Sequence, residues 1–135
     1  MTTSYSGTPL ARKLGYQQGM RLWFGDMPGD VRAEIEAQSG ALDAHPALTP
    51  GLDAAHLFIT TRLALEQALP TLRRSIAPAG FIWISWPKKA SKVPTNITED
   101  VIREIVLPTG LVDVKVCAVD AVWSGLKLMI RRSER

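Results

Sequence analysis

Phe81-Ile82-Trp83-Ile84-Ser85-Trp86 is the stretch that decides the fold. Five of its six residues are apolar, and all five are β-branched or aromatic, the types that suit a pleated strand. A strand apolar on both faces needs cover on both, as in a parallel sheet held between helices. Pro78-Ala79-Gly80 just before it reads as a turn, which places the strand at residues 81–86.

Upstream, Leu65, Leu69, Leu72 and Ile76 recur at helical spacing and make an amphipathic stripe. Pro70 lies inside that stripe and is expected to kink or split the helix. His56-Leu57-Phe58-Ile59-Thr60 reads as another buried strand, and so does Met20-Arg21-Leu22-Trp23-Phe24-Gly25. Asp26-Met27-Pro28-Gly29 turns the chain into a short helix over residues 31–38 that Gly40 stops. Residues 41–53 carry Pro46, Pro50 and Gly51 without a period, and read as an irregular connection with room for one short extended stretch. At the front, Thr8 is expected to cap a two-turn helix, with Pro9 at its first position and Gly15 ending it.

Downstream, residues 87–95 form a polar loop. Asn96 or Thr98 caps the next helix, with Glu99 and Asp100 in its first turn, where the helix dipole favours anions. Val101, Ile102, Ile105 and Val106 give it an apolar face, Glu99 is spaced to pair with Arg103, and Pro108-Thr109-Gly110 ends it. Residues 111–119 read as a strand, with Val112, Val114, Val116 and Ala118 on one face and Asp113, Lys115 and Cys117 on the other. Residues 126–132 are the last strand. The linker between these two is too short for a crossover, so they pair antiparallel. Alternation of strands and helices elsewhere implies parallel pairing through right-handed crossovers. The expected architecture is α/β: one domain over residues 1–135, a three-layer sandwich with a mixed, mostly parallel sheet ending in an antiparallel hairpin.

At 135 residues the chain is long enough to bury a sizeable core without disulfides or metal, and Cys117, its one cysteine, has no partner for an internal bridge. Sixteen Lys and Arg against thirteen Asp and Glu give a net charge of +3, a bias toward anionic partners that falls short of a nucleic-acid footprint. Residues 1–7 lack the apolar core of a signal peptide, and no apolar run reaches bilayer length, so a cytoplasmic protein without a membrane partner is expected.

Leu69-Pro70, Pro78-Ala79-Gly80, residues 81–86 and the closing antiparallel pair together resemble the back half of class I S-adenosylmethionine-dependent methyltransferases, across about residues 54–132. The resemblance implies a reduced Rossmann-like, methyltransferase-like topology. That family carries an acidic-x-Gly-x-Gly cofactor loop after its first strand and a carboxylate ending its second. Here the loop reads Gly25-Asp26-Met27-Pro28-Gly29, and no such second strand is evident, so no cofactor is expected. Ser4-Tyr5-Ser6-Gly7-Thr8-Pro9-Leu10, Trp86-Pro87-Lys88-Lys89-Ala90-Ser91, residues 107–120 and Trp123-Ser124-Gly125-Leu126-Lys127 resemble a bacterial family of uncharacterised proteins, a domain of unknown function, which implies no activity.

In open α/β sheets ligands bind outside the carboxyl ends of the strands. That edge should carry Lys88 and Lys89, with Arg62, Trp86, Thr60 and Thr61 beside them, and an anion site built from these residues is the candidate. The competing reading is a solvated loop whose lysines only confer solubility. Trp123 either stacks on a ligand or packs over the sheet edge. His45 and His56 lack neighbours at metal-ligand spacing, Ser85 lacks a Gly-x-Ser-x-Gly elbow, and Cys117 reads as a packing residue, so no catalytic or metal residue is assigned. The expected function is a non-catalytic binding or interaction domain for an anionic small molecule or a protein. The alternative is a divergent transferase-like enzyme acting on an anionic small molecule.

Overall fold

A computed structural model of the chain describes residues 7–135. Its elements in order are α1 (Leu10–Leu14), β1 (Arg21–Gly25), α2 (Gly29–Ser39), β2 (Asp43–Ala44), β3 (Leu52–Phe58), α3 (Arg62–Ser75), β4 (Ile76–Pro87), α4 (Glu99–Val106), β5 (Leu111–Ala118) and β6 (Trp123–Ile130). The sheet order is β2-β1-β3-β4-β6-β5. β2, β1, β3 and β4 pair parallel, while β6 runs antiparallel to both β4 and β5. The crossover argument from the sequence therefore holds: every helical connection returns to a parallel strand, and the short reversal before β6 makes a hairpin. Among the described residues no helix is long and apolar enough to cross a membrane.

Two buried clusters lie on opposite faces of the sheet. Residues Ile82, Ile84 and Trp86 of β4 join Leu65, Leu69 and Leu72 of α3 and Ile102 and Val106 of α4. Phe81 and Trp83 of β4 face the other way, toward Leu10 and Leu14 of α1 and Val31 and Ile35 of α2. Period-two alternation in one strand thus feeds both cores, which is why 81–86 tolerates so little polarity. The Trp83 indole N–H donates to the Leu14 carbonyl at 2.8 Å and ties α1 to the central strand.

Four local expectations are corrected. Residues 78–80 are not a free turn but part of β4. The register jumps from Leu52↔Ile76 to Ala54↔Phe81, so the chain bulges between them. A Cβ on Gly80 would lie 2.9 Å from the Asp53 carbonyl, so only glycine allows this approach. α3 runs unbroken through Pro70. Pro70 and Glu66, the residue whose carbonyl loses its donor, are both exposed, and the ladder loses one bond without splitting. Pro9, in extended backbone, occupies the cap position of α1 that Thr8 was expected to fill, while Gly15 ends the helix at φ 84° as expected.

The fourth correction matters most. Asp113 pairs with Leu128 and Lys115 with Lys127, so Val114 is an extra residue, a bulge in β5. A bulge reverses the alternation beyond it. Asp113 therefore faces α4, where it accepts a hydrogen bond from Arg103 at 2.9 Å, while Lys115 and Cys117 face α1.

Candidate functional site

The carboxyl ends of β1, β3 and β4 share one edge, reached by Gly25, Phe58 and Pro87. Beyond β4 the Lys88 N–H donates to the Val122 carbonyl at 2.7 Å and anchors the loop to the hairpin reversal. Lys89–Ser91 then makes one 3-10 turn, closed by the Ser91 hydroxyl donating to the Lys88 carbonyl at 2.7 Å. Neither Lys88 nor Lys89 has a carboxylate partner among the described residues.

The other expected members of the site are committed elsewhere. The Thr60 carbonyl accepts from the Thr95 hydroxyl at 2.7 Å and from the Asn96 N–H at 3.3 Å. The Thr61 hydroxyl caps α3 by accepting from the Ala64 N–H at 3.1 Å. Thr98 does the same for α4, so Asn96 is not that helix's cap; its amide oxygen accepts from the Arg62 N–H at 2.8 Å. The Arg62 guanidinium does not join the lysines. It lies between Glu104 at 2.7 Å and Glu66 at 3.7 Å, and two carboxylates leave it little attraction for a third anion. Trp86 does not line the cleft either: it shares a strand face with Ile82 and Ile84 and is buried beneath α3 and α4. Trp123 packs edge-on against Phe58, ring centroids 5.0 Å apart, as the packing reading of that residue has it.

On the α1/α2 face lies a polar chain that sequence reading missed. The fully buried His56 ring meets the Tyr16 hydroxyl at Nδ1, 2.8 Å, and the Ser85 hydroxyl at Nε2, 2.7 Å. Phe58 stacks on the imidazole with centroids 4.6 Å apart. Burial pushes the His56 pKa down to about 3, so the ring is neutral, one nitrogen donating and the other accepting. Burial also drives the Tyr16 phenol well above its ordinary range. Both ring nitrogens are taken by hydroxyls and both hydroxyls are buried, so Tyr16, His56 and Ser85 are not arranged as an exposed nucleophile–base pair. They satisfy polar groups inside a core. Only tertiary pairing brings residues 16, 56 and 85 together, and no local motif signals it. Among the described residues no group of three or more His, Cys, Asp or Glu side chains stands where it would hold a metal ion.

The turn after β1 is unusual. Asp26 adopts φ 53°, left-handed for a residue with a side chain, and exposes its carboxylate at the strand-end edge. A Cβ on Gly25 would lie 2.2 Å from Trp23 Cη2 and 2.8 Å from Leu57 Cδ1. The indole of Trp23 therefore lies across the end of its own strand. The short extended stretch allowed for in residues 41–53 is β2. It pairs parallel with β1, and Asp43 within it meets His45 Nε2 at 3.3 Å.

No family model matches the sequence, and no curated protein matches it. Solved structures do share the fold. A SAM-dependent methyltransferase from Aquifex aeolicus superposes with a TM-score of 0.62 at 16% identity, covering 90% of this chain and 87% of that one. Magnesium protoporphyrin IX methyltransferase from Synechocystis gives 0.57 at 11% identity, with 90% and 74% covered. An O-methyltransferase from neocarzinostatin biosynthesis gives 0.67 at 10% identity, with 93% of this chain and 53% of that one. The architecture is thus the Rossmann-like fold of class I methyltransferases. This corrects the expectation of a non-catalytic binding domain: the three structures just named, which share the fold, are methyltransferases.

The cofactor that this fold implies is S-adenosylmethionine, and the residues present do not fit it. With the family motif's first glycine laid on Gly25, Trp23 stands where the motif has its acid and Met27 where it has its second glycine. The Trp23 ring fills the space that a glycine there would leave open to a ligand. β2 ends at Ala44, followed by His45, where the family has a carboxylate.

Proposed function

We propose that this chain is a divergent transferase-like enzyme acting on an anionic small molecule at the carboxyl-end edge of its sheet. The observation that carries the reading is the anchored loop after β4, which holds Lys88 and Lys89 at that edge without carboxylate partners among the described residues. The fold's kinship with methyltransferases supports the enzymatic class. A unit charge 4 Å from each ammonium gains about 1 kcal/mol in water and about 4 kcal/mol at the effective dielectric of a protein surface. Asp26, exposed at the end of β1, places a carboxylate at the same edge.

The test is titration of phosphate, sulfate and nucleotides against labelled protein, with chemical shifts as readout. Shifts in residues 86–98 are expected, and Lys88→Ala with Lys89→Ala should abolish them. Any ligand that shifts them is then incubated with the protein and weighed, a gain or loss of a group being expected. Absence of shifts, or shifts that survive the double substitution, overturns the site. A ligand that binds there and returns unaltered with every donor tried overturns the enzymatic class. In calorimetry S-adenosylmethionine should give no binding, and a micromolar dissociation constant would show that Trp23 swings aside.

A further inference from the structure

The α1 face of the β5–β6 hairpin gathers charge of one sign. Lys115 and Lys127 are directly opposite each other across the antiparallel pair. Like charges in that position repel. Lys13, from α1, is the third: its ammonium donates to the Ala118 carbonyl at 3.1 Å, and Lys115 Nζ reaches the Lys13 carbonyl at 3.4 Å. Lys127 is half-withdrawn, its Nζ 4.4 Å from the centre of the Phe81 ring and 3.9 Å from the position a Cβ would take on Gly15. The pull of burial and the charge of Lys115 both hold its ammonium below the usual lysine range.

None of the three has a carboxylate partner among the described residues, whereas Arg32, Arg62, Arg73, Arg103 and Arg131 all do. The segregation follows from the bulge at Val114. It turns Asp113, the acid nearest in sequence, to the α4 face and leaves Lys115 on the α1 face. The lysines' backbone acceptors tie down α1, but they do not neutralise three ammonium groups.

We propose that Lys13, Lys115 and Lys127 form an anion site on this face that takes a phosphoryl group. The chemistry selects the class. Lysines are compact point charges without the planar fork that pairs with a carboxylate, and three of them gathered on one sheet face suit a compact, multiply charged oxyanion. The site lies on the sheet face, away from the strand-end loop of Lys88 and Lys89, and it stands or falls independently of the function proposed above.

Cys117, half-buried two residues beyond Lys115 on the same face, is a built-in reporter whose thiol feels both Lys13 and Lys115. The experiment measures its modification by a neutral disulfide reagent while inorganic pyrophosphate is titrated at constant ionic strength. Protection should follow mass action, reaching about tenfold at ten times the dissociation constant. Lys115→Gln and Lys127→Gln, each verified as folded by circular dichroism, should lose that protection, and the Lys88→Ala, Lys89→Ala protein should keep it. Should either glutamine variant fail to fold, Lys127→Met stands in. Lack of protection in the unaltered protein overturns the site. So does protection that persists in the lysine variants, or that sodium chloride of equal ionic strength reproduces.

Discussion

Acid should destabilise this protein at a pH where its carboxylates are still ionised, and His56 is the reason. In the folded chain its pKa is about 3, because the ring is buried between the Tyr16 and Ser85 hydroxyls. In the unfolded chain it returns to about 6.5. A pKa lowered by folding means that the unfolded state takes up the proton first. Full stability is therefore present above pH 6.5 and is lost as pH falls toward the folded value. Between pH 7.5 and 4.5 the unfolded state gains about 2.7 kcal/mol from this one group, and the folded state almost nothing. With a urea slope of about 1–3 kcal/mol per molar, the midpoint moves down by about 1–3 M. The assay is urea unfolding at pH 7.5, 6.5, 5.5 and 4.5 on the natural chain and on His56→Gln. Glutamine keeps a donor and an acceptor but cannot titrate. The variant should start less stable and lose about 2.7 kcal/mol less over the same range. Equal losses in the two proteins would refute the reasoning, and so would a His56 ring resonance that titrates near pH 6 in the folded state.

Three further outcomes are expected. Gly25→Ala should cost about 1–3 kcal/mol in urea unfolding, because the new methyl meets the Trp23 ring, and Trp23→Leu in the same chain should recover part of the loss. Thr61→Ala removes the oxygen that accepts from the Ala64 N–H and should cost about 1 kcal/mol by the same measurement. In Arg103→Met the Asp113 carboxyl, held below its ordinary value chiefly by the Arg103 hydrogen bond, should titrate nearer that value by NMR. The stability that Asp113 contributes is present above its unfolded pKa and lost as pH falls toward its lower folded value, below the pH 4.5 end of the His56 series.

Connection length and apolar runs made the parallel core and the closing hairpin legible, because both are set by local chain geometry. The helix cap at Thr98 and the end of α1 at Gly15 were equally local; the cap at Thr61, which the sequence reading has only as a site residue, was not recognised. Features that depend on a partner strand were not. Period-two counting carries Asp113, Lys115 and Cys117 onto one face, and only the pairing with β6 reveals the extra residue at Val114. Pro78-Ala79-Gly80 has turn composition but is absorbed into β4, because Leu52 and Ala54 supply a ladder on either side of it. At the candidate site, the carboxyl-end rule pointed to Lys88 and Lys89, which follow the end of β4 at Pro87. It said nothing of Glu66 and Glu104, which capture Arg62, nor of the strand parity that sends Trp86 inward. Trp23 over Gly25 was out of reach for the same reason, since a ring lying across its own strand is a tertiary fact.

The bulge at Val114 has a consequence for life in a crowded solution. β5 ends the sheet, and Val114 and Val116 stand half-exposed along it, an apolar strand margin to which another chain could add itself. The extra residue breaks the row of free amide and carbonyl groups on which such growth depends and twists the margin out of line. Excising Val114 would smooth that margin while leaving Lys115 opposite Lys127 on the α1 side. The shortened protein should gather into strand-joined assemblies, visible as a concentration-dependent rise in light scattering that the natural chain does not give.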